Sequence, residues 1–175
     1  TIHGNSGNDT IIGDNGRVNY NSSVLVQINT SNPSIGATDT LNGNEDDDII
    51  FGGTAGDSIY SHGGNDLIIG DQGILDYTNG NLTRAVTNDG ADAEFGNDVI
   101  EAGNGNNFVF AGLGSDLVTS LEGKDVIAAD QVTLVQLESG VWISLDSHDF
   151  TRGGDDTIFS GAGDDMVIAG NGLDT

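Results

Sequence analysis

Residues 52–71 read GGTAGDSIYSHGGNDLIIGD, and within them one phrase occurs twice at a step of nine residues. Asp57 is followed by Ser58-Ile59, and Asp66 by Leu67-Ile68. Extended backwards, the step reaches Asp39 and Asp48. Each acid follows a turn-forming run and precedes an aliphatic two places on: Leu41, Ile50, Ile59 or Ile68. A fixed period with an acid and an aliphatic at constant offsets marks a repeat architecture, in which each unit buries its apolar residue only by stacking on its neighbours.

Outward from this block the phrase continues in both directions. It occurs at Asp9 with Ile11, then at Asp98, Asn107, Asp116 and Asp125 with Ile100, Val109, Val118 and Ile127, and again at Asp156, Asp165 and Asp174. Three exits leave the repeat: Gly13-Asp14-Asn15-Gly16, Gly70-Asp71-Gln72-Gly73 and the degenerate Ala129-Asp130-Gln131-Val132. Each leads into alternating apolar residues around a turn signal, the pattern of a β-hairpin. The three excursions cover about 17–36, 74–95 and 132–152, and the second carries Asn79-Gly80, suited to turn positions with positive φ. Asp14, Asp71 and Asp130 lie 57 and 59 residues apart, so the chain is about three copies of a superrepeat. The expectation is an all-β fold: one continuous parallel β-roll or β-solenoid over 1–175, interrupted by a hairpin about every 58 residues. Thr1-Ile2 is the tail of a phrase and Asp174-Thr175 the start of one, which predicts an excerpt of a longer array.

Composition narrows the function. The chain has 28 Asp plus Glu against four Lys plus Arg, a formal charge of -24, with 28 Gly and no Cys. Such charge expands a metal-free chain by self-repulsion and disfavours nucleic acid and anionic surfaces, while favouring divalent cations. An acidic disordered segment shares this charge, but here 35% of residues are apolar and recur on a period. The lack of Cys excludes disulfides and thiolate metal sites. No run approaches the ~20 apolar residues of a membrane span.

Written generally, the phrase is GGxGxDxUx, with U a large aliphatic. Gly161-Ala162-Gly163-Asp164-Asp165-Met166-Val167 and Gly170-Asn171-Gly172-Leu173-Asp174 are good matches, and the pattern resembles the RTX family of calcium-binding nonapeptides. The chemistry is consistent with that resemblance. Ca²⁺ takes six to eight hard oxygens, glycine-rich turns can aim carbonyls inward, and one Asp per turn adds charge. The resemblance implies that two nonapeptides make one coil and that calcium sits between turns stacked on one edge. Ions are then shared by Asp39 with Asp57, Asp48 with Asp66, Asp98 with Asp116, Asn107 with Asp125, and Asp156 with Asp174. Asp9 and Asp165 take partners across a hairpin or beyond the chain.

Several residues depart from the pattern. Asn107 keeps an oxygen and loses a charge, which predicts a weaker site. Asp46 replaces the fourth-position Gly and is either an extra ligand or solvated. The turns before Asp39 (Ser34-Ile35-Gly36-Ala37-Thr38) and Asp125 (Ser120-Leu121-Glu122-Gly123-Lys124) match poorly. Asp14, Asp71 and Asp130 either bind calcium at the hairpin junctions or cap the chain there.

Beside the inward aliphatics stand Ile49 and Phe51, Leu67 and Ile69, Phe108 and Phe110, and Met166 and Ile168, too much apolar surface for a solvated face. Either the hairpins fold back over the roll, or this face packs on another chain with Trp142, Tyr20 or Tyr77 as anchors. His3, His62 and His148 sit in no zinc-protease motif, and no nucleophile or acid–base pair stands apart from the repeat, so no enzyme is expected. Arg17, Arg84, Lys124 and Arg152 leave polysaccharide binding open. The RTX resemblance implies a secreted or cell-surface protein, and the preferred reading is a calcium-folded structural segment of an adhesin, matrix or fibre protein. The alternative is the calcium-folding repeat region of a secreted enzyme or toxin, or a polysaccharide-binding module.

Overall fold

The computed structural model describes residues 1–87, 96–136, 141–148 and 151–175. In chain order, β1 (Ile2–Ser6) and β2 (Thr10–Ile12) form the first coil, and β3 (Gly16–Asn21) and β4 (Val24–Thr30) a hairpin. β5 (Thr40–Glu45) with β6 (Ile49–Phe51), and β7 (Ser58–Gly63) with β8 (Leu67–Ile69), form two more coils. The hairpin β9 (Gly73–Thr78)–β10 (Asn81–Thr87) follows, and then the coils β11 (Val99–Gly103)–β12 (Phe108–Phe110) and β13 (Leu117–Ser120)–β14 (Val126–Ala128). A third hairpin, β15 (Val132–Gln136)–β16 (Trp142–Ser147), precedes the coil β17 (Thr157–Phe159)–β18 (Met166–Ile168). Among the described residues no helix is long and apolar enough to cross a membrane.

The strands assemble into three six-stranded sheets. Two are parallel, β1-β5-β7-β11-β13-β17 and β2-β6-β8-β12-β14-β18, and face each other across the roll. Register places equivalent aliphatics side by side: Leu41 against Ile59, Ile59 against Ile100, and Ile100 against Val118 in the first sheet. Ile50, Ile68, Val109 and Ile127 form the matching row in the second. These two rows meet in a dry core, as the period of two within each short strand requires. The hairpins interrupt the chain but not the roll, because β7 pairs directly with β11, and β13 with β17.

The third sheet is antiparallel and built only of hairpins, in the order β16-β15-β10-β9-β4-β3. Successive hairpins zip together through β4–β9 and β10–β15, aligning Ile28 with Leu75 and Ala85 with Leu134. Those four side chains pack on Phe51, Ile69, Phe110 and Ala128, which project from the outer face of the second sheet. Of the two explanations for the apolar outer positions, the fold-back is the one seen for all but Met166, which is exposed. Tyr77 joins this cluster, whereas Tyr20 is exposed. The side chain of Trp142 and the third hairpin's turn at 137–140 lie outside the described residues. The other parallel sheet presents Thr40, Asn42, Ser58, Tyr60, Glu101 and Thr119 beside its buried row. Val99, Leu117 and Phe159 are apolar exceptions on that sheet, whose outer positions are otherwise polar, whereas the outer positions of the hairpin-covered sheet are apolar in almost every phrase.

Turn chemistry fits each element. Ser22 and Ser23 carry φ of 49° and 67°, and Asn79 and Gly80 carry 52° and 81°, so both described hairpin turns hold two left-handed residues, as the twist of tight hairpins favours. In the roll's own turns, a β-carbon on Gly105 or Gly123 would strike the carbonyl of Gly64 or Gly105 in the adjacent coil. Coils there stack backbone on backbone.

Removing one of the large side chains between roll and hairpin sheet tests their interdependence. Phe110→Ala should cost about 3–5 kcal/mol, read by chemical denaturation of the folded protein. A loss below about 1 kcal/mol, well short of that range, would show that the hairpin sheet is only draped over the roll.

Candidate metal centre

The phrase acids stand where the chain turns from one parallel sheet to the other, in two lines along opposite edges. One edge carries Asp39, Asp57, Asp98, Asp116, Asp156 and Asp174. The other carries Asp9, Asp48, Asp66, Asn107, Asp125 and Asp165. Along each edge the backbone N–H of one residue donates to Oδ1 of its counterpart in the next coil, at 2.7 to 3.1 Å. The five pairs expected to share ions are neighbours in these ladders. The ladders also run unbroken past the hairpins, joining Asp9 to Asp48, Asp57 to Asp98, Asp66 to Asn107, Asp116 to Asp156, and Asp125 to Asp165.

The second carboxylate oxygen has a different environment. Oδ2 of Asp9, Asp48, Asp57 and Asp156 is buried and accepts no hydrogen bond within the chain. A β-carbon on Gly4 would stand 2.5 Å from Asp9 Oδ2 and 2.9 Å from the Gly43 carbonyl oxygen. On the opposite edge, one on Gly52 would meet the Gly70 carbonyl and stand 2.6 Å from Asp57 Oδ2. Glycine thus leaves open a cradle in which a carboxylate oxygen and a carbonyl oxygen lie close together with no proton between them. Buried acceptors normally have partners, and an unpaired buried charge is costly. A cation that takes hard oxygens from side chain and backbone fits this donor set. Among the described residues no three His, Cys, Asp or Glu side chains cluster as metal ligands. Each turn supplies one carboxylate, so carbonyls must complete the shell, which suits calcium better than zinc.

The poor turn before Asp39 has a structural reason. Its first half comes from the other side of the hairpin, where a β-carbon on Gly13 would lie 3.1 Å from Asp39 Oδ2 and against the Gly52 carbonyl. Gly70 stands in the same relation to Asp98. A linear reading of the phrase cannot see a turn assembled from two distant segments.

The exit aspartates act on the next coil. Asp14 accepts from the Thr54 and Ala37 N–H groups at 2.7 and 3.2 Å, Asp71 from Leu113 N–H at 2.7 Å, and Asp130 from Asn171 N–H at 2.5 Å. Capping is therefore the role that their hydrogen bonds display. Asp46 is exposed, with Oδ2 accepting from Gly7 N–H at 3.1 Å. His62 is exposed near the end of β7 with a left-handed backbone (φ 70°), its ring stacked near Tyr60 at 6.3 Å. An exposed ladder beside the second edge was not anticipated: Asn65 N–H donates to Asp47, Asn106 N–H to Asn65 and Lys124 N–H to Asn106, at 2.7 to 3.0 Å. The polar residue just before each phrase acid was its signal in the sequence.

Burial raises the pKa of Asp57 to about 7 and that of Asp156 to about 6, and it also raises Asp48 and Asp66. In Asp57 the backbone hydrogen bond from Asp39 opposes burial, while the charges of Asp14 and Asp39 add to it.

A family model described as the RTX calcium-binding nonapeptide repeat matches the chain in four copies, at residues 1–17, 42–74, 87–127 and 150–175. These segments cover about two thirds of the chain and leave out most of each hairpin. No curated protein and no solved structure matches it.

The raised values set the sign of the pH response. Without metal, folding favours the protonated acids, so the stability they contribute is complete below the ordinary value of 3.8 and is lost as pH rises through about 6 to 7. In chelator the chain should hold more β-structure near pH 4 than at pH 7.5 by circular dichroism. With calcium the trend should reverse, because protons compete with the ion. A metal-free chain that gains structure as pH rises would contradict this assignment of the buried oxygens.

Proposed function

Because the chain belongs to the RTX calcium-binding nonapeptide repeat family, whose arrays bind several Ca²⁺ ions, we propose that it is a structural segment that folds into a stiff roll on meeting extracellular calcium, within a secreted or surface-attached adhesin, matrix or fibre protein. The observation that carries this reading is the buried Oδ2 of Asp9 and of Asp57, each without a hydrogen-bond partner and set against a turn carbonyl. Bound calcium supplies positive charge between these oxygens. The chain's own part is to present them: the N–H ladder orients each carboxylate through Oδ1, the aliphatic rows fix the coil spacing, and the hairpin sheet holds one face dry.

Magnitudes favour a switch. With Kd in the ~10⁻⁴ to 10⁻³ M range of extracellular modules, ~1 mM calcium stabilises folding by roughly 0.4 to 1.4 kcal/mol per site. Over half a dozen sites the sum reaches several kcal/mol, comparable to the whole stability of an ordinary domain. At the low calcium of a cytosol the same acids repel one another within a chain of charge -24. A glycan site on a basic face is less favoured, since Arg84 pairs with Asp76 at 3.0 Å and Lys124 with Asp164 at 3.1 Å. No catalytic role enters this reading.

Titrating calcium into the chelated chain at neutral pH should convert a largely disordered spectrum to β-structure, reversibly on adding chelator. A chain fully structured in excess chelator at that pH would overturn the proposal. Electron microscopy of the folded material separates the structural roles, with dispersed rods for a spacer and ordered fibres for a polymer.

A further inference from the structure

The two edges of the roll differ in what stands beside each turn. Along the edge of Asp57, the small residue that opens each cradle is Gly13, Gly52, Gly70, Ala111, Ala129 or Ala169, none with a side-chain donor. Along the other edge, Gly4 and Gly43 occupy the first two coils, but Ser61, Ala102 and Ser120 occupy the next three. There the hydroxyls and the Asn107 amide supply donors. Asn107 Oδ1 accepts from Asp66 N–H at 2.9 Å, as a ladder aspartate would, which fixes the amide orientation and puts Nδ2 where Oδ2 stands elsewhere. Nδ2 donates, at the long end of hydrogen-bond range, to the Ala102 and Gly105 carbonyls of its own turn, at 3.5 and 3.4 Å. The Ala102 carbonyl also accepts from the Ser61 hydroxyl at 2.8 Å. In the next coil the Ser120 hydroxyl lies 2.6 Å from Asp125 Oδ2 and 3.3 Å from the Gly103 carbonyl oxygen.

We propose that the Asn107 and Asp125 rungs form a seam closed by side-chain hydrogen bonds in place of cations, so that calcium loads the two edges unequally. The inference rests on the calcium reading of the preceding subsection. Its physical basis is the difference between acceptor and donor. At Asp9 or Asp57, Oδ2 faces carbonyl oxygen with no side-chain donor beside it, and a cation satisfies both. At Asn107 a donor faces the carbonyls, and a cation there would meet an N–H₂ group and a carbonyl whose two lone pairs are already engaged. At Asp125 the hydroxyl satisfies Oδ2 directly. The seam lies in the middle of the roll, between the second and third hairpins, where two adjacent coils hold together on one edge without metal. It departs from the ions that the repeat pattern assigns to Asn107 and Asp125.

Counting bound calcium on the folded, calcium-saturated protein by native mass spectrometry tests this. Asp57→Asn should hold one ion fewer than wild type, and Asp125→Asn the same number. Asn107→Asp, which turns the donor back into an acceptor, should hold one more. Ser120→Ala removes only a hydroxyl and should also gain one, a safeguard should Asn107→Asp fold poorly. Loss of an ion from Asp125→Asn, or an unchanged count in both Asn107→Asp and Ser120→Ala, would overturn the seam while leaving the calcium reading intact. A wild-type chain holding no calcium would overturn both.

Discussion

Along each edge of the roll, a backbone N–H engages Oδ1 of the next coil's ladder side chain, and at Asp57 this leaves Oδ2 buried beside a turn carbonyl. This arrangement fixes coil spacing, buries charge and creates the demand for a cation in a single step. The fold is therefore conditional in a specific sense. Among the described residues the strand ladders and apolar cores are formed, while buried carboxylate oxygens still lack a counter-charge. Protons or calcium can supply it, and the raised pKa values at Asp57 and Asp156 express the same deficit that an ion would relieve.

Two short parallel sheets make a narrow body. A single aliphatic per strand, such as Ile59 or Ile68, gives the roll a core one side chain deep on each face. The hairpins enlarge it. Stacked beside one parallel sheet, they enclose a second core around Phe51, Ile69 and Phe110, and they pair with one another across intervals of more than 40 residues, as Gln27 does with Asp76 and Arg84 with Val135. Coil stacking and hairpin pairing thus proceed in parallel. Each coil added to the roll positions the next hairpin, and each paired hairpin braces two coils. The exit aspartates join the two systems, because Asp14, Asp71 and Asp130 leave the roll at a hairpin yet bond to the turn of the following coil.

The period of nine, read from Asp57 and Asp66, was sufficient to give the roll, its inward aliphatics and its ladder acids. One residue type at one offset has one environment in a stacked repeat, so local sequence and global position coincide. The hairpins were legible from alternation and from Asn79-Gly80 for the same local reason. What the sequence left open depended on distance. Whether Phe51 and Phe110 faced the chain's own hairpins or another molecule could be settled only by seeing Ile28, Leu75, Ala85 and Leu134 opposite them. The turn at Asp39 looked defective because half of it, at Gly13, precedes the excursion. The difference between the two edges had the same origin. Ser61, Ala102 and Ser120 are ordinary small residues in a linear reading, and they become donors or a doubly bonded carbonyl only when coils 41 and 18 residues apart are stacked. Sequence alone determined which residues repeat, because periodicity is a local property. Tertiary structure decided which oxygens find a proton donor and which do not, because that depends on the neighbour supplied by the adjacent coil.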